Sequence, residues 1–158
     1  MQIWIDGDAC PKPIKEILFR TAIRTATPMI VVSNHALNTP ASPYIKRNQV
    51  GAGFDVADKH IVDNMQAGDL VITADIPLAD DVVTNGGWAL NPRGELYSEN
   101  NIKQLLGQRN LNETLRGGGM ISGGPPKFGP KEIQRFANAL DKFLAQRSTR
   151  PPEPSEGR

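Results

Sequence analysis

Residues 2–34, QIWIDGDACPKPIKEILFRTAIRTATPMIVVSN, decide the architecture. Residues 2–5 are rich in large apolar side chains and read as a first strand that ends at Asp6, after which Gly7 turns the chain. Pro11 and Pro13 stand where a helix begins, because a missing N–H does no harm in a first helical turn. Ile14, Ile17, Leu18, Ala22 and Ile23 then recur at helical spacing to about Thr25. Residues 29–32 (MIVV) form a continuous apolar run closed by Ser33 and Asn34, the pattern of a strand buried on both faces of a parallel sheet.

The alternation continues outward. Residues 34–48 are polar, contain Pro40 and Pro43, and read as a loop. Residues 55–65 place Val56, Ala57, His60, Ile61 and Met65 at helical period, and Gly68 and Asp69 lead into a strand over 70–73. Residues 76–84 read as a helix with Pro77 in its first turn, closed by Asn85, Gly86 and Gly87. Residues 88–90 make a further short strand, and Asn91, Pro92 and Gly94 supply turn chemistry after it. A helix is expected over 101–115. The glycine-crowded segment 117–130 is expected to be mobile. A last helix over 130–145 carries Ile133, Phe136, Ala137, Leu140 and Leu144 on one stripe. The polar, proline-rich residues 147–158 read as a disordered tail. Strands alternating with helices predict an α/β fold, a mostly parallel sheet with helices on both faces, in one domain over residues 1–146.

Composition narrows the class. The chain has 158 residues, 39% hydrophobic and 22% charged, which suits a folded domain and excludes global disorder. Its apolar runs are far shorter than the roughly 20 residues of a membrane span, and its start shows no signal-peptide pattern. The single cysteine, Cys10, excludes an intramolecular disulfide and a cysteine zinc cluster. A cytoplasmic protein with no membrane contact is expected. The net charge of +1 hides an asymmetry: residues 1–90 carry 7 Lys/Arg against 10 Asp/Glu, and residues 91–158 carry 11 against 7. Carboxylates that hold a cation, joined to a basic half that receives a polyanion, would produce such a division; so would ordinary surface charge with a basic tail.

In open α/β sheets the active crevice lies beyond the carboxyl ends of the strands. Asp6 and Asp8 follow the first strand, and Asp75 follows the strand over 70–73. Asp55 and Asp58 stand at the start of a helix and share one face of it, where Asp55 serves either as a cap or as a ligand. Carboxylates gathered in one crevice repel, and a divalent cation relieves that repulsion. Mg²⁺ and Mn²⁺ prefer oxygen ligands and polarise phosphodiesters. Asp6 and Asp75 are therefore the candidate catalytic residues, and Asp6, Asp8, Asp55, Asp58 and Asp75 the candidate metal ligands. Ser33 and Asn34 end the second strand where they would orient a phosphate, or simply close a turn. Arg116, Lys127 and Lys131 flank the glycine-rich loop, which lacks the Gly-Lys-Ser/Thr ending of a nucleotide-binding P-loop, and are candidate nucleic-acid contacts. Cys10 reads as a small buried side chain and His60 as a residue packed on its helix.

The motifs IDGDACP (5–11), GFDVADKHIV (53–62), GDLVITADIPLA (68–79), LNPRGELY (90–97), ENNI (99–102) and the loop GGGMISGGPPKF together resemble the YaiI/YqxD family of bacterial proteins, over nearly the whole chain to about Leu144. At fold level the chain is similar to the PIN/NYN-like nucleases, a three-layer Rossmann-like group. That similarity implies a metal-dependent, ribonuclease-like enzyme using Mg²⁺ or Mn²⁺ and acting on RNA. Asp6 would be the first-strand acid, Asp55 or Asp58 the middle acid, and Asp75 the acid after the later strand. Two other readings stay open. A haloacid-dehalogenase-like phosphatase would use Asp6, Asp8, Ser33 and Asp80-Asp81, although Cys10 departs from that family's pattern and no flap segment precedes the helix. A non-catalytic RNA-binding module would keep only the fold and the basic half.

Overall fold

The structure is a computed structural model and describes residues 1–8, 10–51, 56–98, 100–104, 107 and 129–148. Five strands form one sheet: β1 (Ile3–Asp6), β2 (Met29–Ser33), β3 (Ile45–Gln49), β4 (Leu70–Ile72) and β5 (Trp88–Leu90). Their order is β3-β2-β1-β4-β5, and every neighbouring pair is parallel. The helices are α1 (Lys12–Thr25), α2 (Val56–Asn64), α3 (Ile76–Thr84) and α4 (Pro130–Ser148).

Side chains alternate across the sheet and so divide the core in two. Ile3, Ile5, Met29, Val31, Leu70, Ile72 and Leu90 face α1 and α4, where they meet Ile14, Leu18, Phe136 and Leu140. Trp4, Ile30, Val32, Val71 and Ala89 face the other way, against Ala57 and Ile61 of α2 and Leu78, Ala79 and Val82 of α3. The expected α/β class with helices on both faces is what the chain forms, as a three-layer Rossmann-like arrangement.

One segment corrects the reading of 34–48 as a loop. Residues 45–49 are β3, paired in register with β2 from Met29↔Ile45 to Ser33↔Gln49. Only Ile45 of that strand is buried, while Lys46, Arg47 and Gln49 are exposed. An edge strand needs no apolar run, and exposed charges on it discourage pairing with another chain. The hydrophobic pattern that reveals a central strand is therefore missing. The helix expected over 101–115 is described only at 100–104 and 107, which are helical. The glycine-rich segment lies outside the described residues except for Gly129 and Pro130. The final helix runs to Ser148, and the rest of the tail lies outside the described residues.

The amino-terminal edge of the sheet is tied by Asp69, which is buried at 4% exposure. Its carboxylate accepts from the Trp4 indole Nε1 at 3.0 Å, the Gln66 N–H at 3.0 Å and the Gln2 N–H at 3.1 Å. This acid joins β1 to the approach of β4 and lies at the opposite end of β4 from Asp75.

Candidate functional site

The order β3-β2-β1-β4-β5 reverses direction between β1 and β4, so the connections leaving those two strands part at their carboxyl ends, the place where open α/β sheets form their binding crevice. Ile5 pairs with Ile72, which sets Asp6 level with Thr73 on the neighbouring strand. Asp6 shares the parity of Trp4, and Thr73 that of Val71. Both therefore face the α2/α3 layer, where the amino-terminal turns of α2 and α3 begin.

Gly7 makes the turn out of β1 possible by close approach. A Cβ there would stand 2.7 Å from Leu37 Cδ1 and 2.8 Å from Val31 Cγ1. Its N–H donates to the Val32 carbonyl at 2.8 Å, extending the β1–β2 ladder, and Lys15 Nζ donates to its carbonyl at 3.2 Å.

Asp75 is the N-cap of α3: its Oδ1 accepts the Leu78 N–H at 2.9 Å, and its own N–H donates to Thr73 Oγ1 at 2.9 Å. The residue is exposed, and Oδ2 has no hydrogen-bond partner among the described residues. Asp58 sits half-buried in the first turn of α2. Asp55 lies outside the described residues.

Asp8 is drawn toward the loop after β2. Its Oδ2 accepts the Asn34 N–H at 2.7 Å, and its Oδ1 is 3.2 Å from His35 Nε2. Asn34 Oδ1 is buried and has no hydrogen-bond partner among the described residues. Ser33 is buried and spends its hydroxyl on the His35 carbonyl at 2.6 Å, closing the strand end as a turn. Lys131 is exposed in the first turn of α4, in the layer opposite α2 and α3. Arg116 and Lys127 lie outside the described residues. Among the described residues, no three His, Cys, Asp or Glu side chains are grouped to hold a metal ion. The structure thus brings Asp6 and Asp75 to adjacent strand ends, gives Asp8 two partners on the β2–β3 connection, and leaves the fuller ligand set unassembled within the described part.

Other features bear on the alternatives. The sequence between the end of β1 at Asp6 and the start of α1 at Lys12 is too short for an inserted flap, and Asp80 and Asp81 lie within α3 rather than at a strand end. His60 packs edge-on against Trp4 with ring centroids 6.3 Å apart, and its Nε2 is 3.2 Å from Asn48 Nδ2. It is a packed helix residue, as its spacing suggests.

Cys10 is 7% exposed. Burial pushes its thiol from 9.0 up to about 12; Lys15 opposes that shift and Asp6 adds to it. The fold favours the neutral thiol, so this contribution to stability is complete below pH 9.0 and is lost as the pH rises toward about 12. Alkylation by iodoacetamide at pH 8 is expected to be slower by at least about 100-fold in the native protein than in urea, since the thiolate is the nucleophile. Equal rates would show the side chain to be open.

Sequence reading gave Asn91 only its turn chemistry, which the structure keeps, and gave Tyr97 no role, although both stand in the LNPRGELY stretch. Tyr97 is 5% exposed and packs in the α2/α3 layer of the core. Asn91 Nδ2 donates to its hydroxyl at 2.8 Å. Burial raises the pKa of the phenol, the Asn91 hydrogen bond opposes the shift, and the Glu95 and Asp75 carboxylates add to it. No described helix is long and apolar enough to cross a membrane.

Comparison with known proteins agrees over almost the whole chain. The family model described as "Uncharacterized BCR, YaiI/YqxD family" matches residues 4–146. A UPF0178 protein of Maridesulfovibrio salexigens is 60% identical over 146 residues, covering 92% of this chain and 97% of that one. UPF0178 proteins of Photobacterium profundum and Hahella chejuensis are each 57% identical, covering 92% and 94% of this chain and 97% and 99% of theirs. No solved structure matches it. With the resembling motifs, the family match and these identities in agreement, the chain belongs to the YaiI/YqxD family.

Proposed function

We propose that the chain is a metal-dependent, PIN-like nuclease that hydrolyses RNA phosphodiesters at the crevice between β1 and β4. The observation that supports this reading is the position of Asp6 and Asp75 just beyond the carboxyl ends of two adjacent parallel strands, at the point where the strand order reverses. The donor chemistry suits a hard cation, since these groups offer oxygen; the buried amide oxygen of Asn34, at the end of the neighbouring strand β2, has no partner among the described residues. Mg²⁺ is commonly held by only one or two carboxylates, with water and substrate phosphate completing its shell, so two acids at the switch point fit it.

Asp6 and Asp75 are the residues that would hold Mg²⁺ or Mn²⁺, with Asp58, and Asp55 by the family resemblance, on the α2 side. When bound, such an ion supplies electrophilic activation of the phosphodiester and a more acidic water. The protein's own part is orientation. The α3 cap and the Thr73 hydroxyl hold Asp75 in place, and Asp8 fixes the backbone of Asn34 beside the crevice. Arg116 and Lys127, by the sequence reading, would receive the polyanionic backbone, an interaction that weakens with salt; Lys131, on the opposite layer, is left out of this site.

The test is cleavage of a single-stranded RNA in Mn²⁺, compared between the unmodified chain and Asp6→Asn. The unmodified chain is expected to cut and to stop on chelation. The variant is expected to fold but lose about 100-fold or more in rate, the scale on which one positioned acid or base contributes. Full-rate cleavage by the variant, or intact RNA throughout, would reject the reading. A phosphoryl group trapped on Asp6 would replace it with the phosphatase.

A further inference from the structure

We propose that Tyr97 is a substrate-binding residue of this crevice, its hydroxyl donating a hydrogen bond to a non-bridging oxygen of the phosphodiester beside Asp75, with Asn91 setting the direction of that proton. The inference rests on the hydrolase reading above and adds to it the group that would receive the anion.

Its basis is a chain of hydrogen bonds with one consistent direction. The Arg93 N–H can only donate, and it meets Asn91 Oδ1 at 2.7 Å. That contact identifies the amide oxygen, so the other end of the amide, 2.8 Å from the Tyr97 hydroxyl, is Nδ2 and donates to it. The phenol oxygen is thereby an acceptor toward Asn91, and its own hydrogen must point elsewhere. No described residue accepts that hydrogen.

The loop that carries this chain is rigid. The Asn91 N–H donates to the Glu95 carbonyl at 2.8 Å, the Gly94 N–H to the Asn91 carbonyl at 2.8 Å, and the Tyr97 N–H to the Ala89 carbonyl at 2.9 Å. Leu90 and Leu96 form an antiparallel bridge across it. Gly94 has φ +95, and a Cβ there would stand 2.9 Å from the Arg135 backbone, so the loop tip seats directly on α4. Tyr97 is thus held by its ring in the α2/α3 core and by its backbone on β5. Leu90 pairs with Ile72, so Asn91 and the hydroxyl to which it donates stand at the carboxyl end of β5, next to the end of β4 from which Thr73 leads to Asp75. A fixed donor beside a carboxylate suits a ligand that is itself anionic and bridged to the carboxylate by a cation, as a phosphodiester is.

The test measures binding of a labelled single-stranded oligouridylate in Ca²⁺ by fluorescence anisotropy, and its cleavage in Mn²⁺, for Tyr97→Phe, Asn91→Ala and the double variant. Tyr97→Phe is expected to weaken binding about 10-fold, the scale of one hydrogen bond to a charged oxygen. Asn91→Ala is expected to weaken it about 3-fold alone and by clearly less in the Tyr97→Phe background, because the part of its effect that passes through the hydroxyl is then already lost. Undiminished binding by Tyr97→Phe overturns the proposal. So does an Asn91→Ala effect of equal size in both backgrounds, since that would report loop loosening alone. Wild-type binding with the expected coupling but no cleavage would reject hydrolysis and leave Tyr97 as a phosphate ligand; no binding by the unmodified chain rejects both.

Discussion

Replacing Asp69 by alanine is expected to destabilise the fold by on the order of 3 kcal/mol, since each buried donor left without a partner costs about 1–3 kcal/mol and three donors share this carboxylate. For a chain of this size that is a fall in melting temperature of roughly 6–12 °C. Asp69→Asn is expected to lose less, because one amide oxygen still accepts while the NH₂ group faces donors. Chemical unfolding of the two variants, read as the denaturant midpoint, checks the order. An alanine variant that unfolds with the parent would mean that the tie from β4 to Trp4 contributes nothing. The site at the other edge of the sheet should be untouched in whatever fraction remains folded, as the two acids lie at opposite ends of β4.

Asp75→Asn is expected to leave the melting temperature almost unchanged while reducing metal-dependent cleavage by about 100-fold or more. Asparagine is as good an N-cap as aspartate, so the Leu78 N–H keeps its partner and only the charge is lost. Asp75→Ala should show the same loss of rate and in addition about 1 kcal/mol of destabilisation, from the vacated cap. The pair separates the two roles of one carboxylate. If Asp75→Asn cleaves at the parent rate while Asp75→Ala merely melts earlier, Asp75 is a structural cap and the site must be sought elsewhere on the rim.

The legible parts of this chain share a physical cause. The helices α1 and α3 announce themselves by apolar period and by proline in the first turn, and β2 by a run that only a strand covered on both faces can bury. The β3 edge strand was not legible, because exposed Lys46, Arg47 and Gln49 carry no hydrophobic period. Among the acids, placement beyond a strand end nominated Asp6, Asp8 and Asp75 alike. Nothing local showed that the Asp8 carboxylate turns to Asn34, 26 residues away. Nor did anything local mark Asp69, whose indole partner lies 65 residues earlier.

By itself, then, the sequence determined the layered α/β class, the central strands, the helices with proline in their first turn and the acids that follow the strand ends, all of which follow from spacing within a single element. Only the tertiary structure decided the strand order, the edge pairing of β3, the different positions of Asp69 and Asp75, and the hydrogen bond from Asn91 to the Tyr97 hydroxyl. Each of these depends on which groups meet across elements, where a donor selects its acceptor by position in space, and the order of residues along the chain leaves that choice open.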